Sequence, residues 1–297
     1  MENLRSNARV IKKFIKHRED WHMKLAFSTN AFKRYSLEDS IKEIGAIGYE
    51  GVEILCDVPH LYPPLFPKQR LLRLNNFLEK QHLKVSNLNA FTLYAIGDVY
   101  HPSWIERNKH STDIRIVHTI DCLKAARFLG AKNISTLGGG PHTTKARQKK
   151  DLVKLFAKNI ENTIKIAEDE KVRILVEPEP GLIIENSSQI TEFLKSFDSK
   201  SIGLNCDLGH FFCVGEDPAN VVYNLADYIG HFHLADISSD RVHNHLLPGM
   251  GSINFKEIFD AIRSIGYQGF ITVELYTYQD NPIETANKAY EYLLQFI

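Results

Sequence analysis

No run of this sequence reaches the roughly 18 consecutive apolar residues that a membrane-crossing helix needs, so a membrane-spanning chain is not expected. Cysteine is scarce. Cys56, Cys122, Cys206 and Cys213 are the only four, and none belongs to a CxxC pair. That spacing suits neither a zinc finger nor a dense disulfide framework, so a reduced, cytoplasmic chain is the simplest expectation. Net charge is lacking too: 36 Lys and Arg offset 36 Asp and Glu. The balance offers no general basic face of the kind nucleic-acid binding demands. Two phosphate-binding signatures are also missing. GxxxxGK[ST] occurs nowhere, and Ser28-Thr29-Asn30-Ala31 is unlike the GxGxxG turn of a dinucleotide-binding fold.

What is present is an ordinary globular composition, 43% hydrophobic and 24% charged over 297 residues. Residues 1–22 are basic and polar, without the apolar segment of a secretory signal, and are expected to form an extension outside the domain. Beyond them the pattern alternates. Short apolar runs begin at Lys24, Gly51, Val85, Asn133, Arg173, Ile202, Ile229 and Phe270. Between them lie segments of helical periodicity with start and stop signals, such as Ser36 before Leu37-Glu38-Asp39 and Gly48 or Gly130 after the last apolar turn. Eight strand-then-helix units at this length predict a (β/α)8 TIM barrel over residues 23–297, in one domain. The longest irregular stretch, Ala90 to Asp113, is rich in aromatics and histidine and reads as a functional loop. Gly138-Gly139-Gly140 after the fourth strand allows the backbone to approach a ligand or another segment closely.

A barrel of this kind carries its site at the C-terminal ends of the strands, so the residues found there are the informative ones. Strand five ends in Glu177-Pro178-Glu179, strand six in Asp207 with His210 beyond, strand seven carries His231 and His233, and strand eight ends in Glu274. Glu53, Asn87, Asn89 and Asn30 come from strands two, three and one. Glu177, Asp207, His233 and Glu274 therefore line one side of the mouth. Three carboxylates with no lysine or arginine at those strand ends would repel one another in an empty pocket. A divalent cation relieves this, and a mixed oxygen and nitrogen set suits Mn2+, Zn2+, Co2+ or Mg2+. His210 reads as a substrate partner, a further ligand or an acid/base group, and Glu179 as a contact for substrate hydroxyls or a solvent-facing acid. His101 and Trp104 read as a lid wall or plain packing, and His231 as a core histidine. In the loop after strand seven, Arg241 and His245 are the substrate-binding candidates, with His245 preferred over its neighbour His243.

These residues resemble the xylose isomerase-like TIM barrels, which include sugar isomerases and epimerases and the endonuclease IV-like (AP endonuclease family 2) proteins. The resemblance runs from Lys24 to Ile297. It rests on Val176-Glu177-Pro178-Glu179, Asp207-Leu208-Gly209-His210, Gly230-His231-Phe232-His233 continuing through Asp236 into His245 and Ile253, and Glu274. It implies one divalent metal ion on Glu177, Asp207, His233 and Glu274, with Glu177 and Glu274 as paired acid/bases moving a proton beside a metal-polarised carbonyl. It also implies a substrate-binding role for His210. Ketose 3-epimerases carry an arginine six positions after the ligand histidine, where this chain has Ser239 and, two further on, Arg241. The expected activity is a sugar, sugar phosphate or polyol isomerase/epimerase acting on a small sugar-like molecule. The alternatives are a lyase or dehydratase, or an endonuclease IV-like phosphodiesterase, on the same barrel. The neutral charge gives nucleic acid no support as a partner, and homo-oligomerisation stays open.

Overall fold

Alternation of Val and Ile with polar residues sets the sheet. Val52 and Ile54 pack into the hydrophobic core, while Glu53 between them turns inward to bond Asn87 and His233, as the two-residue period of a strand requires. The computed structural model describes residues 23–142 and 146–297; the extension expected over residues 1–22 lies outside them. Strands β1 (Lys24–Ser28), β2 (Gly51–Leu55), β3 (Lys84–Asn89), β4 (Asn133–Leu137), β5 (Arg173–Glu177), β6 (Ile202–Asp207), β7 (Ile229–Leu234) and β8 (Phe270–Val273) pair in parallel and in chain order, and β8 closes back onto β1. The closed barrel of eight parallel strands is the predicted (β/α)8 fold.

The connecting helices start and stop where side chains can satisfy their open ends. Helix α1 (Leu37–Ile47) is capped by Ser36, whose Oγ accepts the Asp39 amide at 3.0 Å, and ends at Gly48 with φ 116°. Helix α2 is Lys68–Lys80. Helix α3 (Lys109–Leu129) begins earlier than its apolar periodicity suggests, because the Asn108 side chain caps the His110 amide. The irregular stretch after β3 is shorter for that reason, and His110 is helical. Helices α4 (Ala146–Glu170) and α5 (Ser187–Leu194) follow β4 and β5. Two short helices follow β6: α6 (Leu208–Cys213), which the sequence reading did not contain, and α7 (Pro218–Asn224). Helices α8 (Phe255–Ser264) and α9 (Pro282–Leu293) flank β8. The described residues contain no helix long and apolar enough to cross a membrane, and all four cysteines are free thiols.

Two buried charges fix the loops that rim the barrel mouth. Arg115, fully buried on α3, donates to the carbonyls of Pro102, Ala90 and Phe91 at 2.7–3.0 Å. Asp57 accepts from the Thr92 hydroxyl and from the amides of Tyr94 and Ala95. The loop after β3 is thereby held from both sides. The glycine run serves a segment, not a cradle: a Cβ on Gly138 would lie 2.8 Å from the Glu177 carbonyl and 2.7 Å from that of Ile184. Gly138 and Gly140 carbonyls accept the amides of Ile184 and Ile183, which pins the loop carrying Glu179.

Candidate metal centre

Four neighbouring strands deliver the four residues. Glu177 ends β5, Asp207 ends β6, His233 lies opposite Asp207 in the β6–β7 register, and Glu274 follows β8, its amide still donating to Leu234 of β7. One donor atom from each of Glu177, Asp207, His233 and Glu274 falls within 4.8 Å of all the others, and all four residues are buried. The expected set is thus brought together.

Three observations fit a divalent cation here. Asp207 Oδ1 caps the new helix by accepting the His210 amide at 2.9 Å, yet its buried Oδ2 has no hydrogen-bond partner, an arrangement that is costly unless something compensates it. The donor set, three carboxylates and an imidazole, is one that hard and borderline divalent ions take. Finally, burial pushes the Glu177 carboxyl up to about 7, the charges of Glu274 and Asp207 adding to the effect against the opposing pull of His233. Such crowding of anions is what a cation relieves.

The imidazole of His233 sits inside a ring of carboxylates. Its Nδ1 is 2.9 Å from Glu177 Oε1 and 3.5 Å from Glu274 Oε2, and its Nε2 is 2.6 Å from Glu53 Oε2. Burial alone would push its pKa down, but Glu53, Glu177 and Glu274 hold it well above the ordinary imidazole value. Glu274 is oriented by two amides: Asn30 and Asn89 donate to its Oε1 at 2.8 and 3.1 Å. His210 donates from Nδ1 to the Pro178 carbonyl at 2.9 Å, and His245 from Nδ1 to the Glu274 carbonyl at 2.8 Å. Their Nε2 atoms then face each other at 3.4 Å, with His243 Nε2 3.0 Å from that of His210. These three histidines form a second cluster of possible ligand geometry beside the first. Burial, reinforced by His210 and His245, lowers His243 to about 3.

Beside the ligands opens a cavity of about 290 Å³, whose lining includes Glu177, Glu179, His210, His243 and Glu274. Asn30, Lys33, Asn89, Phe91, Tyr94, Tyr100 and Tyr276 also line it. Glu179 accepts the Tyr100 hydroxyl at 2.9 Å, and its burial raises it to about 8 despite that bond.

Other expected residues fall elsewhere. Trp104 is fully buried, donates to Thr136 Oγ1 and stacks on Phe156, so it belongs to the core and not to a lid. His101 is exposed and pairs with Glu106. Arg241 lies over the Phe212 ring and donates to the Phe212 carbonyl, outside the cavity lining. His245 is buried beneath the cavity and His243, passed over in its favour, lines it. His231 bonds Thr272 Oγ1 at 2.9 Å in the barrel interior, as a core histidine would. Tyr100 lies in the loop expected to be functional without being singled out, and Lys33 and Tyr276 lie outside every expected site segment, since no strand-end rule points to loop residues. Asn30 and Asn89 were visible as strand-end amides without a stated role.

With this geometry in view, comparison with known proteins gives three findings. The sequence model of the xylose isomerase-like TIM barrel family matches residues 41–296. An inosose dehydratase of Lacticaseibacillus casei is 27% identical over 285 residues, covering 88% of this chain and 90% of that protein. Among solved structures, a D-tagatose 3-epimerase-like protein superposes with a TM-score of 0.77 at 22% identity, covering 92% of this chain and 97% of that one. The IOLI protein with a binding zinc atom follows at a TM-score of 0.76 and 19% identity, over 92% and 98% of the two chains. At these identities the structural likenesses speak for the fold alone.

Proposed function

The chain belongs to the xylose isomerase-like TIM barrel family, and from that premise we propose that it is a divalent-metal-dependent sugar or polyol isomerase/epimerase that moves a proton beside the carbonyl of a small polyhydroxylated substrate. The observation that carries this reading is the pair Glu177 and Glu274, two carboxylates that both line the cavity and both belong to the four-residue donor set. A divalent ion held by Glu177, Asp207, His233 and Glu274 would act as a Lewis acid toward the substrate carbonyl and so acidify the adjacent C–H.

The chain's own groups supply the rest. Glu274, with Oε1 fixed by the amides of Asn30 and Asn89, is the base that takes the proton, an aligned carboxylate being most effective when its reach is preset. Glu177 is the partner that returns it. Glu179, carrying the Tyr100 hydrogen bond, and His210, fixed by its bond to the Pro178 carbonyl, hold substrate hydroxyls. Phe91, Tyr94 and Tyr276 add aromatic surface to the cavity lining.

A second reading, dehydration of the same kind of substrate, draws support from the inosose dehydratase relative, which matches nearly the whole chain. Both readings share the first step, loss of the proton α to the carbonyl. Incubation of the metal-loaded protein with a panel of ketoses and inososes in deuterated water separates them. Deuterium at the α carbon without loss of water is the expected result, loss of water supports the dehydratase, and unlabelled substrate throughout the panel overturns both. An abasic DNA duplex should remain uncut.

A further inference from the structure

We infer that Glu53 is a positioning residue of this centre: its carboxylate accepts the Nε2–H of His233 and thereby commits the Nδ1 of that ring to the ion. The inference rests on the reading that Glu177, Asp207, His233 and Glu274 hold a metal, and it concerns a residue outside that set. A neutral imidazole carries one N–H, so whichever nitrogen is protonated decides which one can bind. Here the two ring nitrogens face different carboxylates. Nδ1 points at Glu177 and Glu274, at 2.9 and 3.5 Å, and Nε2 at Glu53, at 2.6 Å. Only a proton on Nε2 lets the ring bond Glu53 and keep a lone pair on the side of the other ligands.

Glu53 is itself held. It lies on β2, across the barrel from β7, and is fully buried. Asn87 donates to its Oε2 at 2.7 Å and is steadied by a second bond to Ser135 Oγ at 3.0 Å. His231 approaches to 3.7 Å, but its Nε2 is taken up with Thr272. No lysine or arginine pairs with Glu53 among the described residues, so the His233 ring and the Asn87 amide are its principal hydrogen-bond partners. A buried carboxylate is expensive without a hydrogen-bonded partner, and a histidine that binds a metal characteristically donates its other N–H to such a group. Asn205 brackets the same ring, its Nδ2 lying 3.3 and 3.4 Å from the two nitrogens. The ring is therefore set from three sides before any ion arrives.

The test is calorimetric titration of Zn2+ into the ion-free full-length protein, comparing the native chain with Glu53→Gln and Asp207→Asn, each first checked for folding by circular dichroism. Glu53→Gln should bind Zn2+ about 10- to 100-fold more weakly, because an amide can turn its NH2 to the ring and favour the wrong tautomer. Asp207→Asn should lose tight binding altogether. A native chain that binds no Zn2+, or an Asp207→Asn variant that binds as tightly as the native chain, overturns the metal reading and this inference with it. Tight binding that is lost in Asp207→Asn but unchanged in Glu53→Gln overturns the role of Glu53 alone. A readout that needs no variant of Glu53 is the 15N spectrum of the histidine rings in the Zn2+-loaded protein, with His233 assigned from His233→Gln. A protonated Nε2 and a ligating Nδ1 are expected, and the reverse arrangement overturns the proposal even if Glu53→Gln does not fold.

Discussion

At Glu274 a single side chain meets two demands, a fixed position and an open oxygen, and Asn30 and Asn89 supply the first by donating to the same Oε1. Replacing Glu274 with Gln should lower turnover by about 100- to 10,000-fold, the usual worth of a positioned acid/base group. Replacing Asn30 with Ala should cost less, about 10-fold in kcat, since one of two orienting bonds remains. Solvent deuterium exchange into the substrate measures both. Of these residues, the strand-end acids could be read from the sequence because a barrel puts its site at strand ends, and four consecutive ends carry Glu177, Asp207, His233 and Glu274. Glu53 could be read as a strand residue near the mouth but not in its role, because what distinguishes it is the ring nitrogen it faces across the barrel, and no spacing within β2 encodes that. His243 and His245 are two apart in a loop, and only the folded loop says which one lines the cavity.

Loops make up the rest of the site, and those after β3 and β7 are tied down by buried charged side chains. In the segment after β7, Asp236 accepts the amides of Ile237 and Ile253 at Oδ1 and those of Gly249 and Gly251 at Oδ2. It also forms an antiparallel bridge with Leu246. This clamp sets the positions of His243 and His245. Asp236→Ala would strand four amide donors and should destabilise the protein by about 2–4 kcal/mol. Limited proteolysis should then cut the segment between Asp236 and Ile253 sooner than in the native chain, and a protease-resistant loop would show that the clamp is dispensable. Elements themselves were legible wherever local chemistry agreed with periodicity: Ser36 and Gly48 bound α1, and Gly130 ends α3. Helix α6 was not, since Leu208, Phe211 and Phe212 stand at helical spacing but span barely more than one turn, too few for the period to register, and the Asp207 cap that starts it doubles as a candidate ligand. Trp104 stayed open between lid wall and packing for a related reason. A tryptophan in a loop between histidines looks like a wall, and its burial against Phe156 depends on α4, far along the chain.

The whole molecule should register the ion and the pH. A ligand that binds only the folded state stabilises it by about 2.7 kcal/mol at a hundred times its Kd, so chelation should lower the melting temperature and Mn2+, Co2+ or Zn2+ should restore it. Acid should act through His60, which burial draws down to about 4. An unfolded chain, with a histidine near 6.5, takes up this proton first, so between pH 6.5 and 4 the unfolded state binds more protons and stability falls as the pH falls. The total is roughly 3 kcal/mol, and His60→Gln should flatten the melting-temperature profile over that window if this site is responsible. The strand order has another outcome. Ligands Glu177, Asp207, His233 and Glu274 all come from β5–β8, whereas Glu53, Asn30 and Asn89 come from β1–β3 and the turn beyond β1. A chain severed between β4 and β5 would leave the binders on one fragment and their aligners on the other, so the tightness of metal capture would gauge how faithfully the two halves reassemble.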